Sequence, residues 1–271
     1  MWTHADRASE QPPLTAEQRE RLIRIWRSCC GALQTVVTDL KITQDELKLA
    51  GQFFNRLGQS GMFPSLLAVG LSMTSMRVTE GFAGTPPNLE GPYHVPNAPV
   101  RNNGVLWEKP LSPDARYLEL SGVVRDSGNG KPLANVELDF WQADDDGVYD
   151  NVGYHLRGRV LTDAEGRYTV RSIVPKDYSE HDHDPIGELF RAMDRHNRRA
   201  AHIHLKVRRE GYLPLTTQLY MPDGAYLHSD YVEGAVVPEL IVKFEKTDAD
   251  ERKVVARFDL EITPTAAAKA A

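Results

Sequence analysis

The stretch that decides the fold of this chain is Arg199-Ala200-Ala201-His202-Ile203-His204-Leu205-Lys206-Val207. Its apolar and β-branched residues predict a strand, and strand side chains alternate between two faces. His202 and His204 then share one face, while Ile203 and Leu205 point the other way, into packing. Two neighbouring imidazoles on a strand make half of a metal site, because neutral imidazole is the commonest metal ligand. The same alternation fits two polar residues on a solvated strand face equally well.

The composition excludes several classes of protein. The 271 residues carry a net charge of −6, and no basic run exceeds Arg198-Arg199, so nothing indicates nucleic-acid binding. No apolar run approaches the roughly 18 residues of a membrane span, and residues 1–13 lack the apolar segment of a secretory signal. The only two cysteines, Cys29 and Cys30, are adjacent. This low cysteine usage favours a reducing compartment, and we expect a cytoplasmic protein.

Residues 1–80 have a helical pattern. Thr15-Ala-Glu-Gln18 and Thr43-Gln-Asp-Glu46 are capping boxes, and each precedes apolar residues at three- and four-residue spacings. A third segment, 65–78, is apolar nearly all round, which indicates burial, for example against a second subunit. The sequence therefore predicts a small helical domain over residues 1–80 that pairs two copies of the chain and carries no catalytic cluster.

From residue 81 the pattern changes to short strands between turns. Gly-containing turns at 126–132 and 163–166 are of the hairpin type, and one helical segment, 186–196, interrupts the strands. Regularly spaced short strands predict an antiparallel β-sandwich over residues 81–271, so the chain is mainly β. The predicted strands are 117–124, 135–141, 159–162, 168–173, 201–207, 216–220, 240–244 and 254–262.

Two tyrosines and a second His-x-His motif are further candidates for a site. Tyr178 follows a strand, in a loop, where functional side chains concentrate. Tyr149 follows Asp144-Asp-Asp-Gly147, whose consecutive acids indicate a solvated turn and do not match a calcium loop. Taken singly, each tyrosine is interpreted as a structural residue. His181 and His183 lie in a polar loop, and we expect both to be solvated because a flexible loop pre-organises ligands poorly.

Taken together, six segments in this order resemble the intradiol ring-cleaving dioxygenases of the catechol and hydroxyquinol type. The resemblance covers roughly residues 80–245, and the helical N-terminal region matches in kind. Each segment is common alone, whereas the full series is highly specific. The segments are Glu90-Gly-Pro-Tyr-His-Val-Pro-Asn-Ala-Pro99, Phe140-Trp-Gln-Ala-Asp-x-x-Gly-x-Tyr149, Leu161-Thr-Asp-Ala-Glu-Gly-Arg-Tyr168, Arg171-Ser-Ile-Val-Pro-x-x-Tyr178, Arg199-x-Ala-His-Ile-His204 and Leu215-Thr-Thr-Gln-Leu-Tyr220.

The resemblance implies a non-haem ferric ion held by two tyrosinates and two histidines, which by motif position are Tyr149, Tyr178, His202 and His204. The spacing from Tyr149 to Tyr178 is short for the catechol enzymes, which leaves Tyr154 as the rival of Tyr149. Phenolate is a hard anionic donor that suits Fe(III). The pKa of a free tyrosine is near 10, so a tri-positive ion is needed to keep the phenol deprotonated.

The implied reaction is cleavage of a 1,2-dihydroxybenzene by O2 between its two hydroxyl-bearing carbons, to give a cis,cis-muconate in aromatic catabolism. Catechol is the first expectation and hydroxyquinol the next, and chlorocatechol stays open. Tyr178 is the ligand expected to leave when the diol binds. Arg199 and Gln218 match residues beside the ring, where a guanidinium would stabilise developing negative charge. Residues implied in the substrate pocket are Pro92, Tyr93, His94 and Arg199.

Arg199 lies three residues before His202, so it faces the same cavity only if a bulge or turn intervenes. The resemblance also implies a homodimer through the N-terminal helices and a lipid at that interface. Two other functions remain: a transthyretin-like sandwich that carries a ligand without catalysis, and a zinc hydrolase using His202 and His204 with a carboxylate such as Asp177. Both would be colourless, whereas ferric tyrosinate is red.

Overall fold

The computed structural model describes residues 13–79, 83–245 and 252–266. The chain divides into two compact units, residues 1–56 and 57–271. The helices before the sheets are α1 (Ala16–Leu40), α2 (Gln44–Ser60), α3 (Phe63–Leu67) and α4 (Met73–Thr79), with a π-helical turn over Ala68–Ser72. The third predicted helical segment thus belongs to the same unit as the sheets. The dimerisation role of residues 1–80 stays a prediction.

Both predicted capping boxes are present. At the start of α1, the backbone N–H of Gln18 donates to Thr15 Oγ1 at 3.2 Å, and the backbone N–H of Thr15 donates to Gln18 Oε1 at 2.9 Å. Thr43 and Glu46 make the same reciprocal pair before α2. No helix in the described part of the chain is long and apolar enough to cross a membrane.

The rest of the chain is built mainly from strands. The strands are β1 (Tyr117–Asp126), β2 (Glu137–Gln142), β3 (Arg157–Leu161), β4 (Arg167–Ile173), β5 (Tyr178–Ser179), β6 (Arg198–Arg199), β7 (His202–Arg208), β8 (Leu215–Tyr220), β9 (Lys243–Glu245), β10 (Lys253–Arg257) and β11 (Leu260–Ile262), and helix α5 (Pro185–Ala192) lies between β5 and β6.

The strands form two large sheets and one small one. One four-stranded sheet is antiparallel throughout, in the order β3-β2-β7-β8. In the second sheet β1 is antiparallel to β4 and parallel to both β10 and β11, and β9 is antiparallel to β10. The short strands β5 and β6 form a separate antiparallel pair.

Both large sheets contribute to one hydrophobic core, which confirms the predicted sandwich. Ile203 and Leu205 of β7 pack in the same buried cluster as Phe140 of β2 and Leu118 and Leu120 of β1. Burial of each such side chain contributes about 1.5–3 kcal/mol. Because side chains alternate along β7, this packing sends the two histidines of that strand to the opposite face.

Several details of the strands differ from the sequence prediction. The sheets are not antiparallel throughout, because β1 is parallel to β10 and β11. The single strand expected over 254–262 is divided into β10 and β11, with residues 258 and 259 between them. The pair β5–β6 was not predicted, because two-residue strands carry no periodicity. This pair places Tyr178 directly opposite Arg199.

Candidate metal centre

Four side chains reach the site from three separate elements. His202 and His204 project from β7, Tyr178 begins β5, and Tyr149 follows the turn after β2. That turn is closed by Asp144, whose Oδ1 accepts hydrogen bonds from the backbone N–H groups of residues 146 and 148 at 2.9 and 2.8 Å. The three aspartates thus form a turn, as predicted, and the turn delivers Tyr149 to the site.

Gly147 allows this turn to pack against Tyr178. Its φ of +82° is one that side-chain-bearing residues rarely adopt. A Cβ at this position would lie 3.0 Å from the Cβ of Tyr178 and 3.2 Å from the carbonyl oxygen of Asp177. The glycine therefore permits the close approach of the two tyrosine-bearing segments.

The polar ends of the four side chains converge. The Nε2 atoms of His202 and His204 are 3.0 Å apart. The hydroxyl of Tyr149 lies 3.1 Å from Nε2 of His204 and 3.5 Å from the hydroxyl of Tyr178. Donor atoms bound at about 2.0–2.1 Å from one ion stand roughly 3 Å apart, so these separations fit ligands of a shared ion.

The protonation states also fit a cation. Nδ1 of His202 lies 2.6 Å from the carbonyl oxygen of Ala200, which can only accept, so Nδ1 carries the proton and Nε2 presents a lone pair. Burial, with added repulsion from Arg199, holds the pKa values of His202 and His204 well below the ordinary value, and both rings are neutral. Burial raises the pKa values of Tyr149 and Tyr178. A bound cation is therefore what would make the tyrosines anionic.

The rival residues serve other contacts. The hydroxyl of Tyr154 donates to the carbonyl oxygen of Pro96 at 3.1 Å. The carboxylate of Asp177 accepts hydrogen bonds from the backbone N–H groups of Ala201, Ala225 and Tyr226. Within the described residues there is no group of three or more His, Cys, Asp or Glu that could hold a metal. The donor set of a zinc hydrolase is thus not assembled around His202 and His204 there.

Arg199 reaches the site because the strand is interrupted between β6 and β7, at Ala200 and Ala201. Its side chain is only 2% exposed, and its Nε lies 3.1 and 3.2 Å from the two carboxylate oxygens of Asp230. A second guanidinium nitrogen donates to Gln218 Oε1 at 2.7 Å. Burial acts to lower the pKa of Arg199, but Asp230 together with Tyr178, Tyr220 and Glu180 outweighs burial and the pKa is raised. The arginine is therefore a fixed cation near Tyr178.

The ring of Tyr149 is contacted by Tyr93 and Arg157. Tyr93 stacks on it, with ring centroids 4.3 Å apart and planes 15° from parallel. The guanidinium of Arg157 lies 5.9 Å from the ring centroid. Arg157 is buried and donates to the carbonyl oxygens of Asp150 and Tyr93 at 2.8 and 2.6 Å. Arg157 was not predicted as a site residue, because it lies outside the predicted strand 159–162.

The other pocket residues predicted from the sequence lie at different depths. Pro92 is exposed. His94 lies 3.1 Å from Asp139 Oδ2 through its Nε2, and its ring packs edge-on against Trp141. Trp141 in turn stacks on His204, with centroids 4.7 Å apart and planes 6° from parallel. His94 is thus one aromatic layer away from the four donor atoms.

A carboxylate that the sequence analysis missed also reaches the tyrosines. Glu180 Oε1 accepts a hydrogen bond from the Tyr178 hydroxyl at 3.3 Å, and Glu180 Oε2 accepts one from the Tyr231 hydroxyl at 2.5 Å. The prediction that His181 is solvated is wrong. Its side chain is buried, its Nδ1 lies 2.5 Å from Asp184 Oδ2, and its ring packs edge-on against Tyr231. His183 is exposed, as expected.

Comparisons with known proteins agree with this geometry. A family described as Dioxygenase matches residues 89–264, more than half of the chain. A chlorocatechol 1,2-dioxygenase of Pseudomonas sp. (strain P51) is 30% identical over 249 residues, covering 89% of this chain and 97% of that protein. A hydroxyquinol 1,2-dioxygenase of Rhizobium sp. (strain MTP-10005) is 30% identical over 246 residues, covering 86% and 82%. The crystal structure of 3-chlorocatechol 1,2-dioxygenase from Rhodococcus opacus 1CP has a TM-score of 0.84 and 31% identity, covering 91% of this chain and 100% of that one.

Proposed function

This chain belongs to the intradiol dioxygenase family, whose members cleave catechol-type rings, and from this premise we propose that Tyr149, Tyr178, His202 and His204 hold a non-haem ferric ion. The observation that carries the proposal is the convergence of two imidazole nitrogens and two phenol oxygens at separations of 3.0, 3.1 and 3.5 Å. When bound, the ferric ion supplies a charged centre that binds a diol through both oxygens and makes its ring reactive toward O2.

Tyr178 is the tyrosine suited to release. A diol that bound as a chelate would give up its hydroxyl protons, and the Tyr178 oxygen, as the phenolate, would accept one of them while the other passed to solvent. The carboxylate of Glu180 lies 3.3 Å from the Tyr178 oxygen and accepts a hydrogen bond from its protonated form. Tyr149 is instead contacted by Tyr93 and Arg157 and has no carboxylate acceptor within the described residues. Tyr149 therefore stays in place while Tyr178 exchanges.

Arg199 supplies fixed positive charge to the reacting ring. Its guanidinium is held by Asp230 and by Gln218, whose side-chain oxygen also accepts from the Tyr220 hydroxyl at 2.7 Å. Because the side chains are already hydrogen-bonded, the charge is pre-organised and needs no rearrangement during the reaction. Gln218 is itself fixed by donating to the carbonyl oxygen of Leu89 at 2.8 Å.

The proposed substrate is a catechol, with hydroxyquinol as the next candidate and chlorocatechol as a further one. All three are kept because relatives named for each compound are about equally similar to this chain. The test is O2 uptake and the ultraviolet product band with catechol, hydroxyquinol, protocatechuate and a chlorocatechol. The proposal predicts one O2 consumed per ring and a muconate product. Absence of ring cleavage with all four compounds, in protein loaded with iron, would overturn it. A colourless protein that binds a diol intact would instead be a carrier.

We also propose that the protein is a cytoplasmic homodimer with a lipid at its interface. Helix α1 exposes Leu22, Trp26 and Leu33, with Trp26 68% exposed, which supports a homodimer through the N-terminal helices. A lipid at that interface and a cytoplasmic location follow from the family resemblance and the composition. Sedimentation at micromolar concentration tests the dimer, and extraction with organic solvent followed by mass spectrometry tests the lipid.

A further inference from the structure

Glu180 is the centre of a polar cluster beside Tyr178 that the proposed chemistry does not fully use. Its two carboxylate oxygens accept hydrogen bonds from different hydroxyls, one from Tyr178 at 3.3 Å and one from Tyr231 at 2.5 Å. Both partners donate, so the carboxylate acts as an acceptor on both sides. Each oxygen retains a lone pair that can accept a further donor.

The position of this carboxylate is fixed by buried aromatic packing. Tyr231 is buried, and its ring meets His181 and Phe190 edge-on at centroid distances of 5.7 and 5.6 Å. His181 is tied to Asp184, which also caps the start of α5 by accepting hydrogen bonds from two backbone N–H groups. Glu180 is therefore held beside Tyr178 by a rigid support.

Glu180 makes no ion pair within the described residues. Arg199, which interacts with Glu180 electrostatically, is itself paired with Asp230. The field of Glu180 acts on several phenols: burial chiefly, and then Glu180, raise the pKa of Tyr93 to about 12. The same two causes raise the pKa of Tyr231. Glu180 therefore adds a negative charge beside Tyr178, where Arg199 supplies a positive one.

Resting on the proposed iron site, we propose that Glu180, held by Tyr231, determines specificity by favouring catechols with a hydrogen-bond-donating or cationic ring substituent and disfavouring those with a carboxylate. A diol oxygen at the position of the Tyr178 hydroxyl would lie within hydrogen-bond reach of Glu180, since that hydroxyl is 3.3 Å from Glu180 Oε1. A substrate ring that excludes water from the Glu180 carboxylate without donating a hydrogen bond to it leaves the carboxylate desolvated, and this weakens binding. A carboxylate substituent adds like-charge repulsion.

The test uses two pairs of diols, each matched in size and opposite in charge. One pair is 3,4-dihydroxybenzylamine with protocatechuate, and the other is 2,3-dihydroxybenzylamine with 2,3-dihydroxybenzoate. Dissociation constants are measured without O2 on the iron-loaded protein, from the change in its visible spectrum. The proteins are wild type, Glu180→Gln, Tyr231→Phe and the control Glu210→Gln, which changes an exposed carboxylate elsewhere. Circular dichroism and thermal midpoints establish that each variant is folded.

Wild type and Glu210→Gln are expected to bind the amine at least about tenfold more tightly than the carboxylate in one or both pairs. This ratio is expected to fall toward one in Glu180→Gln and to an intermediate value in Tyr231→Phe, which frees the carboxylate to move. An unchanged ratio in folded Glu180→Gln, or no amine preference in wild type, would overturn the specificity role. Failure of the iron site is distinguished by the absence of any visible band before a diol is added.

Discussion

Nε2 of His202 and Nε2 of His204 face each other at 3.0 Å on one face of a strand. The first atom presents a lone pair, because the other nitrogen of His202 donates to Ala200. The hydroxyl of Tyr149 crowds the same nitrogen of His204 at 3.1 Å. Neutral buried rings gain little from such mutual contacts, whereas a cation shared between them would satisfy every donor atom at once.

Replacement of His204 by alanine removes one of the four proposed ligands. We expect the affinity for iron to fall more than about 100-fold, since even residues that only orient a ligand are worth about 10–100-fold. Iron per chain after dialysis, measured by mass spectrometry, is the readout. His228→Ala is the matched control, because His228 is exposed. Full iron content in folded His204→Ala would remove His204 from the site.

Replacement of Asp230 by asparagine leaves Arg199 buried without its counterion. We expect the free energy of unfolding to fall by about 3–5 kcal/mol, as measured by urea denaturation. Glu165→Gln at the exposed pair with Arg167 is the control and should cost less than about 1 kcal/mol. The double variant Arg199→Met with Asp230→Asn, which keeps an acceptor oxygen for the backbone N–H of Val232, should regain part of the stability but not the turnover. Regained turnover would show that Arg199 has only a structural role.

The stability of the metal-free protein should depend on pH through His202 and His204. Burial is the main cause that lowers their pKa values in the folded state from an ordinary value of 6.5; Arg199 adds to it for His202, and His202 and Arg199 add to it for His204. Below pH 6.5 the unfolded chain therefore binds more protons than the folded one, and stability falls as the pH falls. Two such groups give a slope of up to about 2.7 kcal/mol per pH unit, and no slope above about pH 7.5.

Urea midpoints of the metal-free protein between about pH 5 and pH 8 measure this slope. In the double variant His202→Gln with His204→Gln, the free energy of unfolding should no longer fall at acid pH by the amount that these two residues cause. The other histidines are present in both proteins, so comparison of the two isolates the pair. Parallel curves for the variant and wild type would show that the two imidazoles are not buried in the neutral form.

Arg157 is predicted to fix the first tyrosine through the surrounding loop. In Arg157→Met the carbonyl oxygens of Asp150 and Tyr93 lose their donors, and Tyr149 loses the cation beside its ring. We expect a loss of about 2–4 kcal/mol in stability from the unpaired buried groups and a fall in kcat with a shifted visible band. A variant with unchanged kcat and spectrum would limit Arg157 to a structural role.

The parts of this structure that sequence could predict are those fixed by local pattern. Alternation along β7 placed Ile203 and Leu205 in the core and both histidines on the other face. The capping boxes and the Asp144 turn depend on residues within four positions of each other. The family resemblance identified Tyr149 and Tyr178, which no local pattern distinguishes from ordinary core tyrosines.

The parts that sequence could not predict depend on packing between distant segments. The buried position of His181 requires Tyr231, fifty residues later in the chain. The hydrogen bond from Tyr231 to Glu180 spans a similar distance. Arg157 lies in a strand whose alternation gives no sign that its guanidinium bonds two carbonyl oxygens. Each of these contacts forms only in the folded protein, where segments that are distant in the sequence pack together at the site.

The visible spectrum of the iron-loaded protein shows directly whether Tyr149 and Tyr178 are ligands of a ferric ion. Tyrosinate bound to Fe(III) gives a charge-transfer band and, on excitation in that band, tyrosinate vibrations in the resonance Raman spectrum. We predict that Tyr178→Phe and Tyr149→Phe each retain a weakened and shifted band, and that the double variant has none. Tyr154→Phe should leave the band unchanged. A full band in the double variant, or wild-type protein that binds iron without this band, would contradict the account.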